Sequence, residues 1–116
     1  MVVCVRLPLQ IISEANSRDH WRKSSARKKS HRMIARSVLQ QHARPMHDGA
    51  VTILLTRIGP RTLDDDNLAS GFKACRDGVA DWLGIDDGSP RLSWSYGQCK
   101  SRPGEYAAEV SVEWSA

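Results

Sequence analysis

An apolar stripe at helical spacing runs through residues 67–83. Its members, separated by steps of four, three, four and three residues, are Leu68, Phe72, Cys75, Val79 and Trp82. This spacing places them on one face of an α-helix, and such a face must be buried against another layer of structure. Gly84 follows at a position that commonly ends a helix. We therefore predict a helix over about 67–83, packed on a sheet.

The other segments supply that sheet. Residues 1–9, with near-alternating Val2, Val3, Val5 and Leu7, predict a first strand, and residues 50–58 predict a second. Residues 91–99 and 106–114 are typical of a hairpin joined through Arg102-Pro103-Gly104. The two final strands without a helix between them favour a mixed sheet. The predicted class is a single α+β domain over 1–116, with two main helices in the order β-α-β-α-β-β.

The first helix is predicted from about Ser25 to Gln41, after a mostly irregular stretch over 10–25. The residues expected on its inward face are Ala26, Ser30, Met33, Ile34 and Ser37. Basic residues fall on another face: Lys28, Lys29, Arg32 and Arg36.

Composition places the chain among globular proteins of a reducing compartment. Apolar residues make up 41% and charged residues 26%, and no apolar run is long enough to predict a membrane span. The apolar opening lacks a basic start and a cleavage site, so it indicates a strand and not a signal peptide. Cys4, Cys75 and Cys99 are odd in number and far apart, which favours the cytoplasm over a disulfide framework.

The charge is unevenly distributed. Residues 18–44 carry nine Lys/Arg and one acid, whereas residues 64–87 carry seven Asp and two bases. One region is suited to an anion and the other to a cation, and a nucleic acid with a divalent metal satisfies both. The basic residues expected to contact DNA phosphates are Arg18, Arg22, Lys23, Arg27, Lys28, Lys29, Arg32 and Arg36.

Three adjacent carboxylates, Asp64, Asp65 and Asp66, precede the predicted helix. An acid in the first helical turn gains about 0.3–1 kcal/mol from the helix dipole, whereas two charges about 4 Å apart repel by roughly 1–4 kcal/mol. If the chain is extended there, Asp64 and Asp66 point the same way, and Asp65 points away as a cap. Metal binding and simple capping are the two interpretations. A carboxylate pair suits Mg²⁺, which usually keeps several waters.

A second pair, Asp86-Asp87, follows the same helix. A straight helix over 67–83 is roughly 25 Å long, so sharing one ion requires the chain after Leu83 to fold back, or a helix that starts later. An ordinary Asp-Asp-Gly turn is the alternative interpretation.

The pattern Asp64-x-Asp66-Asn67-Leu68, then Lys73 and Asp77, then Asp86-Asp87, resembles the RusA-type Holliday junction resolvases. The likeness extends over most of the chain, from the strand ending in Leu7-Pro8 through the basic stretch 16–37. Lys73 departs from the family pattern by lying further from the D-x-D-N motif, but it keeps its spacing to Asp77.

The resemblance implies a homodimeric, Mg²⁺-dependent endodeoxyribonuclease of bacterial or phage origin, with Mn²⁺ as the alternative metal. It would cut four-way junctions by paired symmetric nicks in DNA recombination and repair. It implies Asp64, Asp66 and Asp87 as catalytic metal ligands and Lys73 as the basic residue needed for cleavage. No membrane and no nucleotide cofactor are expected.

Two other functions are compatible with the sequence. One is a metal nuclease acting on other branched DNA, such as flaps or forks. The other is a non-catalytic DNA-binding dimer: the intact Asp64 and Asp66 favour an enzyme, whereas the displaced Lys73 keeps this alternative open. Trp21 either stacks on a splayed base or is partly buried, and the four histidines match no metal-binding motif.

Overall fold

A computed structural model describes residues 1–13, 20–45 and 49–115. Its strands are β1 (Val2–Leu7), β2 (Val51–Gly59), β3 (Leu92–Lys100) and β4 (Ala107–Trp114). Its helices are α1 (Trp21–Leu39), α2 (Asp65–Gly71) and α3 (Lys73–Leu83). The α+β class, the mixed sheet and the element order are confirmed, with the second predicted helix divided in two.

The four strands form one sheet in the order β1-β4-β2-β3. β4 is antiparallel to both of its neighbours, and β2 and β3 are parallel. The predicted hairpin of the last two strands is therefore wrong, because β2 lies between them. β2 is an interior strand of the sheet, and its residues Val51, Ile53 and Leu55 are completely buried. A turn sequence between two strands does not reveal such an insertion.

One hydrophobic core lies between the helices and one face of the sheet. The sheet contributes alternate residues, among them Val5, Ile53 and Val110, and the second helical region contributes Phe72 and Val79. The predicted apolar stripe is confirmed as the buried face of this region, since all five members are buried. Cys75 acts there as a small apolar side chain, and burial raises the pKa of its thiol to about 12.

α1 differs from its prediction in both start and orientation. It begins at Trp21, four residues earlier than predicted, and His20 caps it by accepting a hydrogen bond from the Arg22 N–H. The buried residues are His31, Ala35 and Leu39, spaced four apart, whereas Ala26, Met33 and Ser37 of the predicted inward face are exposed. The weak apolar content of this helix left its inward face poorly defined in the sequence.

The contact of α1 with α3 depends on Gly78. A Cβ at this position would meet the Arg32 carbonyl oxygen at less than van der Waals distance and the Ala35 Cβ at 2.9 Å. Both obstacles are backbone or a short side chain on a packed helix, so neither can swing away. The two helices approach this closely because residue 78 has no side chain.

Gly78→Ala is expected to destabilise the protein. Overpacking at the helix contact costs about 1–3 kcal/mol, and the better helix propensity of Ala returns roughly 1 kcal/mol. A net loss near 1 kcal/mol would lower the Tm in thermal unfolding by about 5 °C. Gly97→Ala is the matched control, because its added Cβ would meet nothing closer than 3.6 Å. A Gly78→Ala variant as stable as wild type would contradict the close approach.

No helix among the described residues is long and apolar enough to cross a membrane.

Candidate functional site

The acidic segment begins at the N-terminus of α2. Asp64 is the N-cap, with extended backbone and no side-chain capping bond, and Asp65 and Asp66 form the first helical turn. The predicted roles are therefore corrected: Asp64, not Asp65, caps the helix, and the helix starts two residues earlier than expected. Because Asp66 is already helical, strand-like alternation does not aim it in the same direction as Asp64.

All three carboxylates are exposed. Within the described part of the chain, none of them has a side-chain hydrogen bond or ion pair. They are acids whose charge the described residues do not neutralise. Capping alone does not account for all three, since even Asp64 makes no capping bond through its side chain.

Asp87 lies beside the start of α3. After Leu83 the chain turns at Gly84, whose φ of 70° is in the left-handed region, and folds back along the helix. Lys73 Nζ donates to Asp87 Oδ2 at 2.8 Å and to Asp77 Oδ1 at 2.8 Å. The structure therefore brings two predicted site residues, Lys73 and Asp87, into direct contact.

Arg76 is a second cation on Asp87 that the sequence analysis did not assign. Its Nε is 3.1 Å from Asp87 Oδ2, and its Nη2 donates to the Asp87 carbonyl oxygen at 3.1 Å. The hydrogen bond from Lys73, helped by the charges of Lys73 and Arg76, holds the pKa of Asp87 below its ordinary value. Asp77 and then Asp87 raise the pKa of Lys73. Asp87 is thus a carboxylate held ionised by two cations.

One face of β3 positions both acidic segments. Trp94 Nε1 donates to the Asp87 carbonyl oxygen at 2.9 Å, and the Tyr96 hydroxyl accepts from Arg76 Nη1 at 3.1 Å. Gln98 pairs with the Leu63 backbone through two hydrogen bonds of 2.8 Å each. Alternate residues of a strand share a face, so the Asp87 turn and the residue before Asp64 are anchored roughly 13 Å apart along β3.

These three anchors were missed from the sequence. Trp94 packs against the hydrophobic core while remaining partly exposed. The signal that could have revealed them is the alternation of Trp94, Tyr96 and Gln98, three side chains that can hydrogen bond, on one face of a predicted strand.

The expected three-carboxylate metal site is not assembled. Among residues 1–13, 20–45 and 49–115, no group of three or more His, Cys, Asp or Glu side chains is placed to hold a metal ion. Oδ2 of Asp87 accepts hydrogen bonds from Lys73 and Arg76, and Asp64 and Asp66 lie at the start of the separate helix α2. The metal roles of these three residues remain predictions.

The basic face of α1 borders a cleft of about 730 Å³. Lys28, Lys29 and Arg32 line it from α1, and Lys73 and Arg76 line it from α3. Of the other predicted DNA-binding residues, Arg22, Lys23, Arg27 and Arg36 also lie on α1, and Arg18 lies outside the described residues. Arg32 is engaged with Asp81, through Nε at 2.7 Å and Nη2 at 2.9 Å. That hydrogen-bonded pair raises the pKa of Arg32 and lowers that of Asp81.

Trp21 is 68% exposed at the start of α1, which rules out the interpretation that it is partly buried. The Arg22 guanidinium carbon lies 5.3 Å from the centre of its ring.

The site thus combines a cleft bordered by cations with an acid–base cluster and a separate exposed acidic helix start. The sequence matches no protein-family model and no curated protein.

Proposed function

We propose that this protein is a metal-dependent endodeoxyribonuclease that acts on branched DNA, with the four-way junction as its substrate. The observation that carries the proposal is that one strand, β3, anchors both acidic segments beside a cleft bordered by basic side chains. A metal-dependent nuclease uses this combination, because cations bind the DNA backbone and carboxylates hold a metal at the scissile phosphate.

The basic side chains supply the affinity for DNA. Lys28 and Lys29 are exposed at the cleft and form no ion pair with any residue that the structure describes, so their charges are available to phosphates. Phosphate contacts of this kind position a nucleic acid without reading its sequence. This suits an enzyme that recognises the shape of a branch.

The chemistry of Asp64 and Asp66 fits Mg²⁺. They offer exposed carboxylate oxygens, and Mg²⁺ is commonly held by one or two carboxylates together with substrate phosphates and water. A bound ion would activate water and neutralise charge on the phosphate. Asp87 does not fit as a third ligand while Lys73 and Arg76 hold it. In this proposal Asp87 orients Lys73, and the ammonium group of Lys73 stabilises negative charge on the phosphate.

A homodimer completes the proposal. A four-way junction has two-fold symmetry, and a two-fold symmetric pair of chains places one acidic segment near each of two equivalent strands. Paired nicks at symmetric positions would follow from that arrangement.

The engagement of Lys73 by Asp77 and Asp87 favours one competing function, a non-catalytic DNA-binding dimer. In that protein the acidic residues would hold the turn after α3 in place and take no part in chemistry.

Cleavage of an end-labelled four-way junction in Mg²⁺, in Mn²⁺ and in EDTA separates the two functions. We expect paired symmetric nicks in the junction with the metals, none with EDTA, and none in a linear duplex of the same sequence. Fork and flap substrates in the same assay test the selectivity for junctions. Tight junction binding without cleavage in either metal would contradict the nuclease and support the binding protein.

A further inference from the structure

We propose that the cleft between α1 and the α2–α3 junction binds one unpaired nucleotide, with its base inside and its phosphate at the cationic rim. This inference rests on the proposed function and deepens it, because it names the part of the branched DNA that the cleft recognises.

Small side chains leave room for the cleft between α1 and the α2–α3 region. α1 and α3 are in close contact at Gly78, and the cleft residues of α3 all precede it in the sequence. On that side, Ala69, Gly71 and Ala74 leave space where larger residues would close the cleft. Its volume of about 730 Å³ is in the range of small-molecule sites, which is roughly 300–1,000 Å³.

The lining has the character of a site for a base. Tyr96 contributes an aromatic ring and is itself packed against Phe72, with ring centres 6.0 Å apart. Its hydroxyl is fixed by Arg76, so the ring is held in one orientation. Ala69 and Ala74 add apolar surface around it. Stacking on an aromatic ring is sequence-tolerant, since every base has a π-face.

The charge at the rim matches a phosphate. Five cations line the cleft, and three of them have an ion-pair partner. Lys73 pairs with Asp77 and Asp87, and Arg76 also pairs with Asp87. Arg32 pairs with Asp81. Lys28 and Lys29 remain without an ion pair in the described part of the chain. The phosphate of a nucleotide carries a negative charge that these two unpaired lysines can bind.

Trp21 extends the same surface. It lies four residues before Ser25 and eight before Lys29, and both of those residues line the cleft. Residues four apart are neighbours on one helix face, so the exposed indole lies one turn beyond the cleft mouth. The next base along the strand has an aromatic surface there. Together these features favour a single strand over a stacked duplex, whose bases are not free to enter.

The test is binding of thymidine 3′,5′-bisphosphate to the full chain in EDTA, compared with deoxyribose 3,5-bisphosphate and with inorganic phosphate. We expect the nucleotide to bind at least about 10-fold more tightly than the two probes without a base, as stacking on one aromatic residue provides. In NMR spectra, the Tyr96 and Ala74 signals should shift with the nucleotide. Equal affinity for the baseless sugar would overturn the inference, and so would unmoved Tyr96 signals.

Two variants locate the site. Ala69→Phe fills the cleft and should weaken nucleotide binding at least about 10-fold, whereas Ala43→Phe adds the same bulk at an exposed position that does not line the cleft. If Ala69→Phe does not fold, the wild-type NMR shifts still decide the question. Because the assay needs neither metal nor cleavage, nucleotide binding without junction cleavage would refute only the nuclease. Junction cleavage without nucleotide binding would refute only the cleft.

Discussion

Asp66→Asn and Asp64→Asn are each expected to reduce junction cleavage at least about 100-fold while leaving junction binding within a few-fold of wild type. The reduction is that expected from losing one group that stabilises charge in the transition state. Binding should persist because Lys28 and Lys29, the lysines proposed to contact phosphates, are on α1, not on α2. The measurements are single-turnover cleavage of a labelled junction in Mg²⁺ and a binding titration in EDTA.

The fold should tolerate both changes. Asn is as good an N-cap as Asp, and Asp64 makes no side-chain capping bond that could be lost. Removing the negative charge of Asp66 from the first turn costs only about 0.3–1 kcal/mol through the helix dipole. A fall in cleavage would therefore report on chemistry and not on unfolding.

Asp65→Asn is the matched control. It makes the same change of charge on the same helical turn, at an exposed carboxylate that is not assigned to the metal. Its cleavage rate should remain within a few-fold of wild type. Cleavage by Asp66→Asn at the wild-type rate would remove Asp66 from the mechanism, and an equal loss in all three variants would indicate a general effect of charge.

Local patterns were sufficient to predict most elements of the fold. β1 and the buried stripe of the second helical region follow from periodicities of two and of three to four residues, which report directly on which side is buried. Gly84 was recognised as a helix end because its left-handed backbone suits glycine. These are properties of a few consecutive residues.

Sheet order depends on contacts between distant residues, and the sequence pattern did not reveal it. β2 pairs in parallel with β3 over nine residues and separates it from β4, so a short turn sequence was misleading. The division of the second helix was equally hidden, because the apolar stripe continues through Phe72. At this break the helical region lies close to the segment after β1, since a Cβ at Gly71 would meet the Ile12 carbonyl oxygen at 2.6 Å.

The sequence predicted which residue types form the candidate site, but not which of them pair through hydrogen bonds and ion pairs. From the sequence, the chain had to fold back after Leu83 if the two acidic segments were to share an ion. The chain does fold back, and this brings Asp87 to Lys73. The expected convergence of Asp87 with Asp64 and Asp66 is not seen among the described residues. Arg76 contributes to this, because it hydrogen bonds to both the side chain and the backbone of Asp87. The hydrophobic periodicity of the sequence gave no reason to single out Arg76.

The ion pair between Arg32 and Asp81 makes Arg32 a poor choice for testing DNA binding by substitution. From the sequence it belonged with Lys28 and Lys29 as a phosphate contact, but both of its bonded nitrogens are occupied by Asp81. Arg32→Gln would therefore disturb the contact of α1 with α3 as well as any DNA contact. The two lysines are the cleaner probe of DNA binding.

The double variant Lys28→Gln, Lys29→Gln is expected to weaken junction binding about 10- to 50-fold near 0.1 M salt, and to lower the slope of log affinity against log salt by about 2. Each lysine that contacts a phosphate of duplex DNA releases close to one counterion, so two lost contacts predict both numbers. Binding titrations at several salt concentrations in EDTA measure them. Lys100→Gln, Arg102→Gln removes the same charge at exposed positions off α1 and outside the cleft, neither of them ion-paired within the described part of the chain, and should leave the slope unchanged. Equal losses in both double variants would show that net charge attracts the DNA, and an unchanged slope in the lysine variant would show that this face of α1 is turned away from it.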